Sequence, residues 1–342
     1  MRILVTSYVY APSVGGIETV SDLMARAFLE AGHEVELLTE TPAGRDHRDP
    51  FPVLRKPSPL TVWQAVGRAD LVWQNNISLK FLWACLLRRK PTAVTLATAL
   101  YRHHPAKGLR ERLKVLLLRR CRVFAISGYV LNDSGLLHEL IGNPFEGAIR
   151  ENARGVAKDR ELVFVGRLVS DKGADLLMDA LARLAREGLR PSATVIGDGP
   201  ERSALEALVV RNGLEGQVRF TGFLKGPALH KEIARHRVMV VPSRWKEPFG
   251  VVALEGIAAG CAVVGSESGG LSDAIGPCGK TFPNGDAAAL AEALRDLLTR
   301  PGAVEACTGG AEAHLARFSV AEQSRRYLEA FADMTRPKQR HG

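Results

Sequence analysis

The chain has 342 residues, enough for two ordinary domains that each bury a core of their own. Its hydrophobic content of 46% and charged content of 24% are typical of a soluble globular protein, and no apolar run approaches the roughly 18 residues of a membrane-spanning helix. The net charge of +9 indicates anionic partners such as phosphates or acidic lipids. Nucleic acid is not expected, because there is no aromatic RNA-binding pattern, zinc-finger spacing or basic region with heptads.

The first residues, MRILVTSYVYAP, alternate like a strand and carry one basic residue, so we do not expect a signal peptide. The five cysteines are scattered and form no C-x-x-C pair. They are Cys85, Cys121, Cys261, Cys278 and Cys307. This spacing argues against a disulfide framework or a zinc site and fits a reducing cytoplasm.

Short β-branched runs alternate with helical patterns in the first half of the chain. Strands are predicted for RILVTSYVY, EVELLTE, DLVWQN, TAVTLAT and RVFAIS, and a helix that ends at Gly32 for GIETVSDLMARAFLEAG. This alternation predicts βαβ units and a parallel sheet, and therefore an α/β fold.

Residues 143–160 lack apolar periodicity and carry Pro, Gly and mixed charge, which indicates an inter-domain linker. The alternation then restarts, with strands predicted for ELVFVG, SATVIG, QVRFTG, VMVVPS and CAVVGS, and a last helix with Ser319 as its N-cap. We therefore predict domains at 1–150 and 151–318, followed by a C-terminal helix and tail at 319–342. Ligands bind at the C-terminal strand ends of such sheets, so two facing domains would form a cleft there.

Two cations mark the start of the second predicted domain. Arg167 follows a strand, and Lys172 precedes Gly173 where the next helix begins. A strand end, two cations and a helix N-terminus favour a diphosphate site, although two solvated loop cations would show the same pattern. The turn GDGP, with Gly197 and Gly199, repeats the motif, and a plain turn is its alternative.

The stretch VVPSRWKEPFGVVALEGIAAG combines a strand end with a helix start. Pro248 fits the first helical position, which would leave the N–H groups of Phe249, Gly250 and Val251 available to a phosphate or a sugar hydroxyl. Glu255 lies about two turns further on a face of small apolar residues. A carboxylate is costly to bury there unless a ligand hydrogen-bonds to it, and ribose hydroxyls would do so.

With these motifs, the chain resembles the retaining glycosyltransferases of family 4, whose GT-B architecture has two Rossmann-like domains facing across a cleft. The E-x7-E signature runs from Glu247 to Glu255. The GRL…KG segment, the GDGP turn, the GG pair after the E-x7-E helix and GGIE at residues 15–18 all occur in the family's order. The resemblance extends over nearly the whole chain and implies that the C-terminal helix packs back on the N-terminal domain.

The resemblance implies a role for each matched residue. Arg167 and Lys172 would hold the nucleotide diphosphate, and Glu255 would bind the ribose. Glu247 would contact the transferred sugar and, with the two cations, would serve catalysis. The other implied donor contacts are Gly15, Gly16, Gly197, Gly199, Phe223, Leu224, Phe249, Gly250 and Val251.

The resemblance also implies the substrates. The donor would be a UDP- or GDP-sugar, with no further cofactor. The acceptor would be a saccharide or a lipid-linked hydroxyl in bacterial surface polysaccharide or glycolipid assembly. No D-x-D motif occurs at a strand end, so we expect metal-independent transfer in which Arg167 and Lys172 neutralise the leaving group.

One position departs from the family pattern. Family members place a histidine after the strand that is TAVTLAT here, and this chain has Ala97 instead. His103 and His104 follow a few residues later. They are candidates for the missing function, and two exposed loop histidines are the equal alternative.

Residues 86–122 are strongly basic. In GLRERLKVLLLRR, the helical spacing places Leu109, Leu113, Leu116 and Leu117 on one face with basic residues around it. The pattern favours an interfacial helix on an anionic membrane at the inner, cytoplasmic side, or a core-packed helix with a solvated basic face.

Two other functions fit parts of the sequence. A family member that binds a nucleotide sugar without turnover, in support of a partner transferase, would explain the missing histidine. A dinucleotide oxidoreductase would also have doubly wound sheets, but APSVGGIE does not match G-x-G-x-x-G after the first strand.

Overall fold

The computed structural model describes residues 1–13, 15–44, 48–100, 108–136 and 139–336, without the side chains of 109–111 and 134. The chain divides into two compact units. The first is Met1–Pro144 together with the chain from Phe318 onward, and the second is Phe145–Arg317. The chain therefore leaves the first unit, forms the second and returns to the first.

The sheet of the first unit has seven strands within the described ranges, in the order β3-β2-β1-β4-β5-β6-β7. They are β1 (Arg2–Thr6), β2 (Glu34–Thr39), β3 (Val53–Arg55), β4 (Leu71–Asn75), β5 (Thr92–Leu96), β6 (Arg122–Ala125) and β7 (Glu139–Leu140). The pairs are parallel, as the βαβ pattern predicts. The sequence did not indicate β3 and β7, because three and two residues are too few to show alternation.

The helices that follow these strands are α1 (Gly16–Glu30), α2 (Pro59–Arg68), α3 (Leu79–Leu87), α4 (Leu109–Leu118) and α5 (Gly128–Ser134). Residues of α1 pack in one apolar cluster of the unit. Residues of α2 and α3 pack in another. The sheet therefore buries an apolar layer on each face, which explains the continuous apolar runs of its central strands.

The sheet of the second unit has the order β10-β9-β8-β11-β12-β13, again with parallel pairs throughout the described part. Its strands are β8 (Arg160–Val165), β9 (Ala193–Ile196), β10 (Val218–Gly222), β11 (His236–Val241), β12 (Ala262–Ser266) and β13 (Gly279–Phe282). Five of these were predicted. The sixth, GKTF, contains too few apolar residues to be recognised as a strand.

The helices of the second unit begin inside the predicted linker. They are α6 (Ala148–Ala153), α7 (Ala174–Arg186), α8 (Arg202–Arg211), α9 (Gly226–Ala234), α10 (Val251–Ala258), α11 (Leu271–Ile275), α12 (Ala287–Thr299), α13 (Ala303–Thr308) and α14 (Ala311–Ala316). The domain limit expected at residue 150 falls within α6, which buries Ile149 and contacts α9.

The last helix, α15 (Val320–Thr335), packs in the first unit against α1. Ser319 is its N-cap, and the Ser319 hydroxyl accepts a hydrogen bond from the N–H of Glu322 at 3.2 Å. Tyr327 is 1% exposed, and its hydroxyl lies 2.7 Å from the Thr95 hydroxyl on β5. Its ring centroid lies 5.2 Å from that of Trp73. The C-terminal helix is thus part of the core of the first unit.

Helix α4 buries only part of the leucine face that its spacing predicts. Leu118 is 1% exposed and Leu117 packs partly against the apolar cluster of α2 and α3, whereas Leu113 and Leu116 are 45% and 58% exposed. The side chain of Leu109 lies outside the described residues. The apolar residues therefore divide into a core side and a solvent side. No helix in the described ranges is both long and apolar enough to cross a membrane.

Replacing Tyr327 with alanine should lower the free energy of unfolding by about 3–5 kcal/mol, because it removes a fully buried aromatic ring. Tyr327→Phe should cost less, since it removes only the hydrogen bond to Thr95. Chemical denaturation of the intact chain measures both. Arg325→Ala, on an exposed part of the same helix, is the control. If Tyr327→Ala and Arg325→Ala lowered the free energy of unfolding equally, the packing role of Tyr327 would be contradicted.

Candidate functional site

The motifs of the second unit lie where its central strands end. The neighbouring strands β8 and β11 run parallel, so the loops after Val165 and Val241 begin at the same edge of the sheet. The GRL segment follows β8, and SRWKEPFG follows β11. A parallel sheet therefore brings together residues that are distant in sequence, and this is the edge where α/β sheets bind ligands.

Lys172 and Glu247 form an ion pair at this edge. Lys172 ends the 3₁₀ turn Ser170–Lys172, and its Nζ lies 2.5 Å from Oε1 of Glu247. The Ser243 hydroxyl donates to the same oxygen at 2.9 Å. The side chains are 31% exposed for Lys172 and 12% exposed for Glu247. Oε1 is thus held from two sides, whereas Oε2 of Glu247 has no hydrogen bond within the described part of the chain.

Backbone contacts hold the loop that carries Glu247. The carbonyl of Asp171 accepts hydrogen bonds from the N–H groups of Arg244 at 2.9 Å and Trp245 at 3.2 Å. The Glu247 carbonyl accepts from the N–H of Gly270 at 2.7 Å. Gly269 has φ +80°, and a Cβ there would lie 2.3 Å from the Glu247 carbonyl oxygen. The GG motif is therefore required so that its backbone can approach this loop.

Arg167 lies beside the GDGP turn. The carbonyl of Ile196 accepts from the N–H of Gly166 at 3.0 Å, and that of Asp198 accepts from the N–H of Leu168 at 2.9 Å. The turn, with Gly197 and Gly199, follows β9. Because β9 is the neighbour of β8, the turn lies beside the loop that carries Arg167. The Arg167 side chain is exposed, and its guanidinium has no hydrogen bond or ion pair with any described residue. A free cation of this kind is available to an anionic ligand.

Helix α10 begins later than the sequence suggested. Pro248 was expected at the first helical position, but the helix begins at Val251 and its N-cap is Gly250, with φ +103°. The left-handed conformation of Gly250 turns the chain into the helix, so Pro248 stays in the preceding loop. The side chain of Phe249 is 2% exposed and belongs to the core. No side chain caps α10, whose N-terminus follows the loop after β11.

Glu255 lies in the second turn of α10. Its side chain is partly buried, and its carboxylate has no hydrogen bond or ion pair among the described residues. Burial, with a smaller effect from the carboxylate of Glu146, raises the pKa of Glu255 to about 7. A carboxylate in such surroundings is costly to ionise unless a ligand donates hydrogen bonds to it, and raised pKa values of this kind are frequent at functional sites.

The remaining predicted donor residues lie in other loops. In the second unit, Phe223 follows the edge strand β10 and is 69% exposed, and Leu224 beside it is partly buried. In the first unit, Gly15 is the N-cap of α1 and Gly16 its first residue, so both belong to a helix N-terminus.

The structure describes one of the three acceptor-side positions. Ala97 is 9% exposed, directly after β5. His103 and His104 lie outside the described residues.

Ser243 is a site residue that the sequence interpretation missed. It ends the predicted strand VMVVPS, where a serine is easily taken as a loop residue. In the structure Ser243 is 1% exposed, and its hydroxyl donates to Glu247. The Ser243 carbonyl accepts a hydrogen bond from the Ser266 hydroxyl at 2.7 Å. The available signal was the short spacing between this serine and Glu247 in the loop, which allows the hydroxyl to reach the carboxylate.

Replacing Glu255 with glutamine should stabilise the protein at pH 8 and have little effect near pH 5. The folded protein keeps the Glu255 proton up to about pH 7, whereas the unfolded chain releases it near the ordinary value of 4.5. Stability from this group therefore falls as the pH rises from about 4.5 to about 7, and glutamine removes that cost. Melting temperatures at both pH values measure the difference.

The exposed Glu215→Gln serves as the control for this comparison, because it changes the same charge without burial. If the melting temperatures of Glu255→Gln and the wild type differed by the same amount at pH 5 and at pH 8, the raised pKa of Glu255 would be contradicted.

Comparison with known proteins agrees with the architecture. Residues 159–300 match the sequence model of the family Glycosyl transferases group 1. An uncharacterized glycosyltransferase of Methanocaldococcus jannaschii is 40% identical over 35% of this chain and 31% of its own length. A D-inositol 3-phosphate glycosyltransferase of Saccharomonospora viridis is 35% identical over 56% of this chain and 46% of its own length. The chain thus spans less than half the length of these relatives.

The solved structures extend the likeness to the whole fold. HepE of Anabaena, crystallised with UDP, superposes with a TM-score of 0.80 at 22% identity over 97% of this chain and 100% of its own. A glycosyltransferase of Rickettsia africae gives 0.80 at 15% identity over 98% and 99%. Residues 159–300 are thus similar to the group 1 glycosyl transferases, and the two Rossmann-like units of the chain have the GT-B fold of these structures.

Proposed function

We propose that the protein is a retaining, metal-independent glycosyltransferase that moves a sugar from a nucleotide-diphosphate sugar to a hydroxyl acceptor. The observation that carries this proposal is the Lys172–Glu247–Ser243 cluster at the strand ends of the second unit. The loop after β8 also carries Arg167, and helix α10 carries the partly buried carboxylate of Glu255; neither group has a partner in the described part of the chain.

The proposed donor site has charges that match a nucleotide diphosphate. Arg167 can bind two diphosphate oxygens at once, and Lys172 can supply a point charge from the 3₁₀ turn. Glu255 accepts hydrogen bonds from the two ribose hydroxyls, which would favour its ionised form. One crystal structure of HepE contains UDP, and another contains UDP-glucose. These complexes support a UDP-sugar as the donor, with a GDP-sugar as the alternative.

Glu247 orients the transferred sugar in this proposal. Its Oε1 is occupied by Lys172 and Ser243, so Oε2 is the atom that can accept a sugar hydroxyl. A carboxylate that already accepts from an ammonium and a hydroxyl is a weak nucleophile, because both donors stabilise its negative charge. This supports a positioning role for Glu247 over a covalent one. Amides at Phe249, Gly250 and Val251 would contact the same sugar.

The reaction would take place on one face of the sugar. The bond between the anomeric carbon and the β-phosphate oxygen breaks, and the acceptor oxygen forms its bond on the face that the diphosphate leaves. The acceptor proton passes to the departing phosphate oxygen, so the anomeric configuration is retained. Arg167 and Lys172 stabilise the charge on the leaving diphosphate, which is the role of a metal ion in other transferases.

Thermal shift with a panel of UDP-, GDP- and ADP-sugars tests the donor assignment. The true donor at 100 times its Kd should stabilise the wild type by about 2.7 kcal/mol. The double variant Arg167→Ala/Lys172→Ala should weaken donor binding by about 100-fold or more, because two charge-assisted contacts are lost. Arg186→Ala/Lys231→Ala, which removes two exposed cations from α7 and α9, should bind normally.

Donor binding that survives the loss of Arg167 and Lys172 would overturn the site. A wild type that binds a nucleotide sugar without turnover, over a broad panel of saccharide and lipid-linked acceptors, would indicate the non-catalytic family member instead. That outcome would fit the absence of a histidine at position 97.

We further propose that the protein acts in the cytoplasm, on the inner face of an anionic membrane, in surface polysaccharide or glycolipid assembly. The support comes from residues 86–122. Leu87, Leu113 and Leu116 are 69%, 45% and 58% exposed. Several cations of this segment have no ion pair with a described residue, among them Arg112, Lys114, Arg119 and Arg120. Exposed leucines among free cations suit a surface of acidic headgroups over acyl chains.

Sedimentation with phosphatidylglycerol vesicles should show binding at low salt that weakens at high salt, since charge provides part of the affinity. Leu113→Ser/Leu116→Ser should reduce the bound fraction several-fold. Val210→Ser removes an equally exposed apolar side chain from the second unit, at 62% exposure, and should bind like the wild type. An absence of binding to anionic vesicles at low salt would contradict the membrane proposal.

A further inference from the structure

A second ion pair joins the two segments of the proposed donor site, residues 170–175 and 243–247, and the sequence motifs do not include it. Asp175 is the second residue of α7, and Arg244 lies in the loop after β11. The Arg244 guanidinium donates from Nη1 to Oδ1 of Asp175 at 2.5 Å and from Nη2 to Oδ2 at 2.6 Å. This bidentate geometry fixes the orientation of both side chains, which a contact through a single atom does not.

The two ion pairs between these segments have opposite polarity. On the first segment, Asp175 lies three residues after Lys172. On the second segment, Arg244 lies three residues before Glu247. Each segment therefore carries one cation and one anion, and each cation pairs with the anion of the other segment. A shift of one segment along the other would bring the two cations or the two carboxylates together, and like charges repel, so the arrangement favours one register.

Further contacts of Arg244 strengthen the same junction. Its Nη1 lies 3.5 Å from the carbonyl oxygen of Ser170, at the start of the turn that ends at Lys172. The Arg244 carbonyl accepts a hydrogen bond from the side-chain amide of Asn284 at 2.8 Å. Its N–H donates to the same segment, as described for the loop of Glu247. The side chain, N–H and carbonyl of Arg244 are thus all engaged, which fixes the start of the loop that carries Glu247.

Its partner distinguishes Arg244 from Arg167. The guanidinium of Arg167 has no ion pair with a described residue and is available to a diphosphate. Both terminal nitrogens of Arg244, in contrast, donate to one carboxylate. Asp175 also neutralises the charge of Arg244, so a nearby diphosphate would gain little from it. Arg244 is therefore suited to holding the loop in place and not to binding the donor.

We propose that Arg244 and Asp175 are positioning residues: their ion pair sets the position of Glu247 relative to Lys172 and does not touch the nucleotide sugar. This inference rests on the proposed function, in which Glu247 orients the sugar and Lys172 stabilises the leaving diphosphate. Both groups serve the bond-breaking step, so a loose loop should lower kcat more than it weakens nucleotide binding. A displacement of about 1 Å is enough to reduce the rate strongly.

Transfer kinetics and nucleotide titrations of Asp175→Asn and Arg244→Met test the inference. Each variant should lower kcat about 10-fold, at saturating donor and acceptor. The Kd of the released nucleoside diphosphate, which is UDP for a UDP-sugar, should change less than about 2-fold. Asp175→Asn is the sharper test, because it removes the ion pair and leaves the cation. An Arg244 that bound the diphosphate itself would be freed by this change and would bind UDP more tightly.

The exchanged pair Arg244→Asp/Asp175→Arg provides a rescue. It restores a bidentate contact across the same two segments, so its kcat should exceed that of either single variant by about 3-fold or more. Direct binding of the diphosphate by Arg244 predicts no such rescue, because the exchange places a carboxylate in the loop. Asp175→Asn, the mildest change, covers the case in which Arg244→Met fails to fold.

Arg235 and Asp159 provide the matched control pair. Nε of Arg235 donates to Oδ1 of Asp159 at 3.0 Å, and Nη2 contacts Oδ2. The two residues directly precede β11 and β8, so this pair joins the same two strands at their other ends. Its side chains are similarly exposed, at 36% and 50%, against 38% and 36% for Arg244 and Asp175. Arg235→Met and Asp159→Asn should therefore leave kcat unchanged.

Three results would overturn the inference. One is an unchanged kcat in Asp175→Asn and in every Arg244→Met preparation that folds. Another is tighter binding of UDP by Asp175→Asn, which would assign Arg244 to the diphosphate. The third is an equal loss of kcat in Arg235→Met, which would indicate a general effect of removing a surface ion pair.

The same measurements separate this inference from the proposed function. A wild type that transfers no sugar from any nucleotide sugar refutes the proposed function, and the positioning role with it. A wild type that is active, with Asp175→Asn and Arg244→Met equally active, refutes only the role of the ion pair.

Discussion

The strand pairs in the described parts of both sheets are parallel, and this constraint determines where each unit can carry chemistry. Parallel strands all end at one edge, so loops that are far apart in sequence meet there. Lys172 and Glu247 are 75 residues apart and yet form a 2.5 Å contact, because they follow the neighbouring strands β8 and β11. In the first unit, the loop after β1 lies beside the end of β3 for the same reason, and Nη1 of Arg55 donates to the Ala11 carbonyl at 2.7 Å.

The charged groups at the strand ends of the second unit are not arranged for stability alone. Lys172 and Glu247 neutralise each other, and Ser243 adds a further donor. Arg167 and Glu255 have no such partner among the described residues. Burial penalises the ionised form of Glu255, so the folded protein bears a cost that a hydrogen-bonding ligand would relieve. In the proposed function, Arg167 would bind the diphosphate and Glu255 would accept hydrogen bonds from the ribose.

Local sequence patterns were sufficient for most of the fold. The alternation of β-branched runs and helical patterns predicted the α/β class and ten of the thirteen strands of the described chain. The three others, β3, β7 and β13, are too short or too polar to show the pattern. Ser319 was recognised as an N-cap because capping depends only on the serine and the next three residues. The E-x7-E motif could likewise be located from its spacing.

By itself, the sequence determined the fold class, the C-terminal helix and the residue types of the candidate donor site, because each depends on local periodicity or on a short motif. Only the tertiary structure decided that Gly250 is the N-cap of α10, that Ser243 donates to Glu247, and that Leu113 and Leu116 face solvent. It also placed the Tyr10 hydroxyl 2.8 Å from a carboxylate oxygen of Asp22 and 2.8 Å from one of Asp49. Contacts of this kind depend on which strands are neighbours and on how closely loops pack, and no single stretch of sequence contains that information.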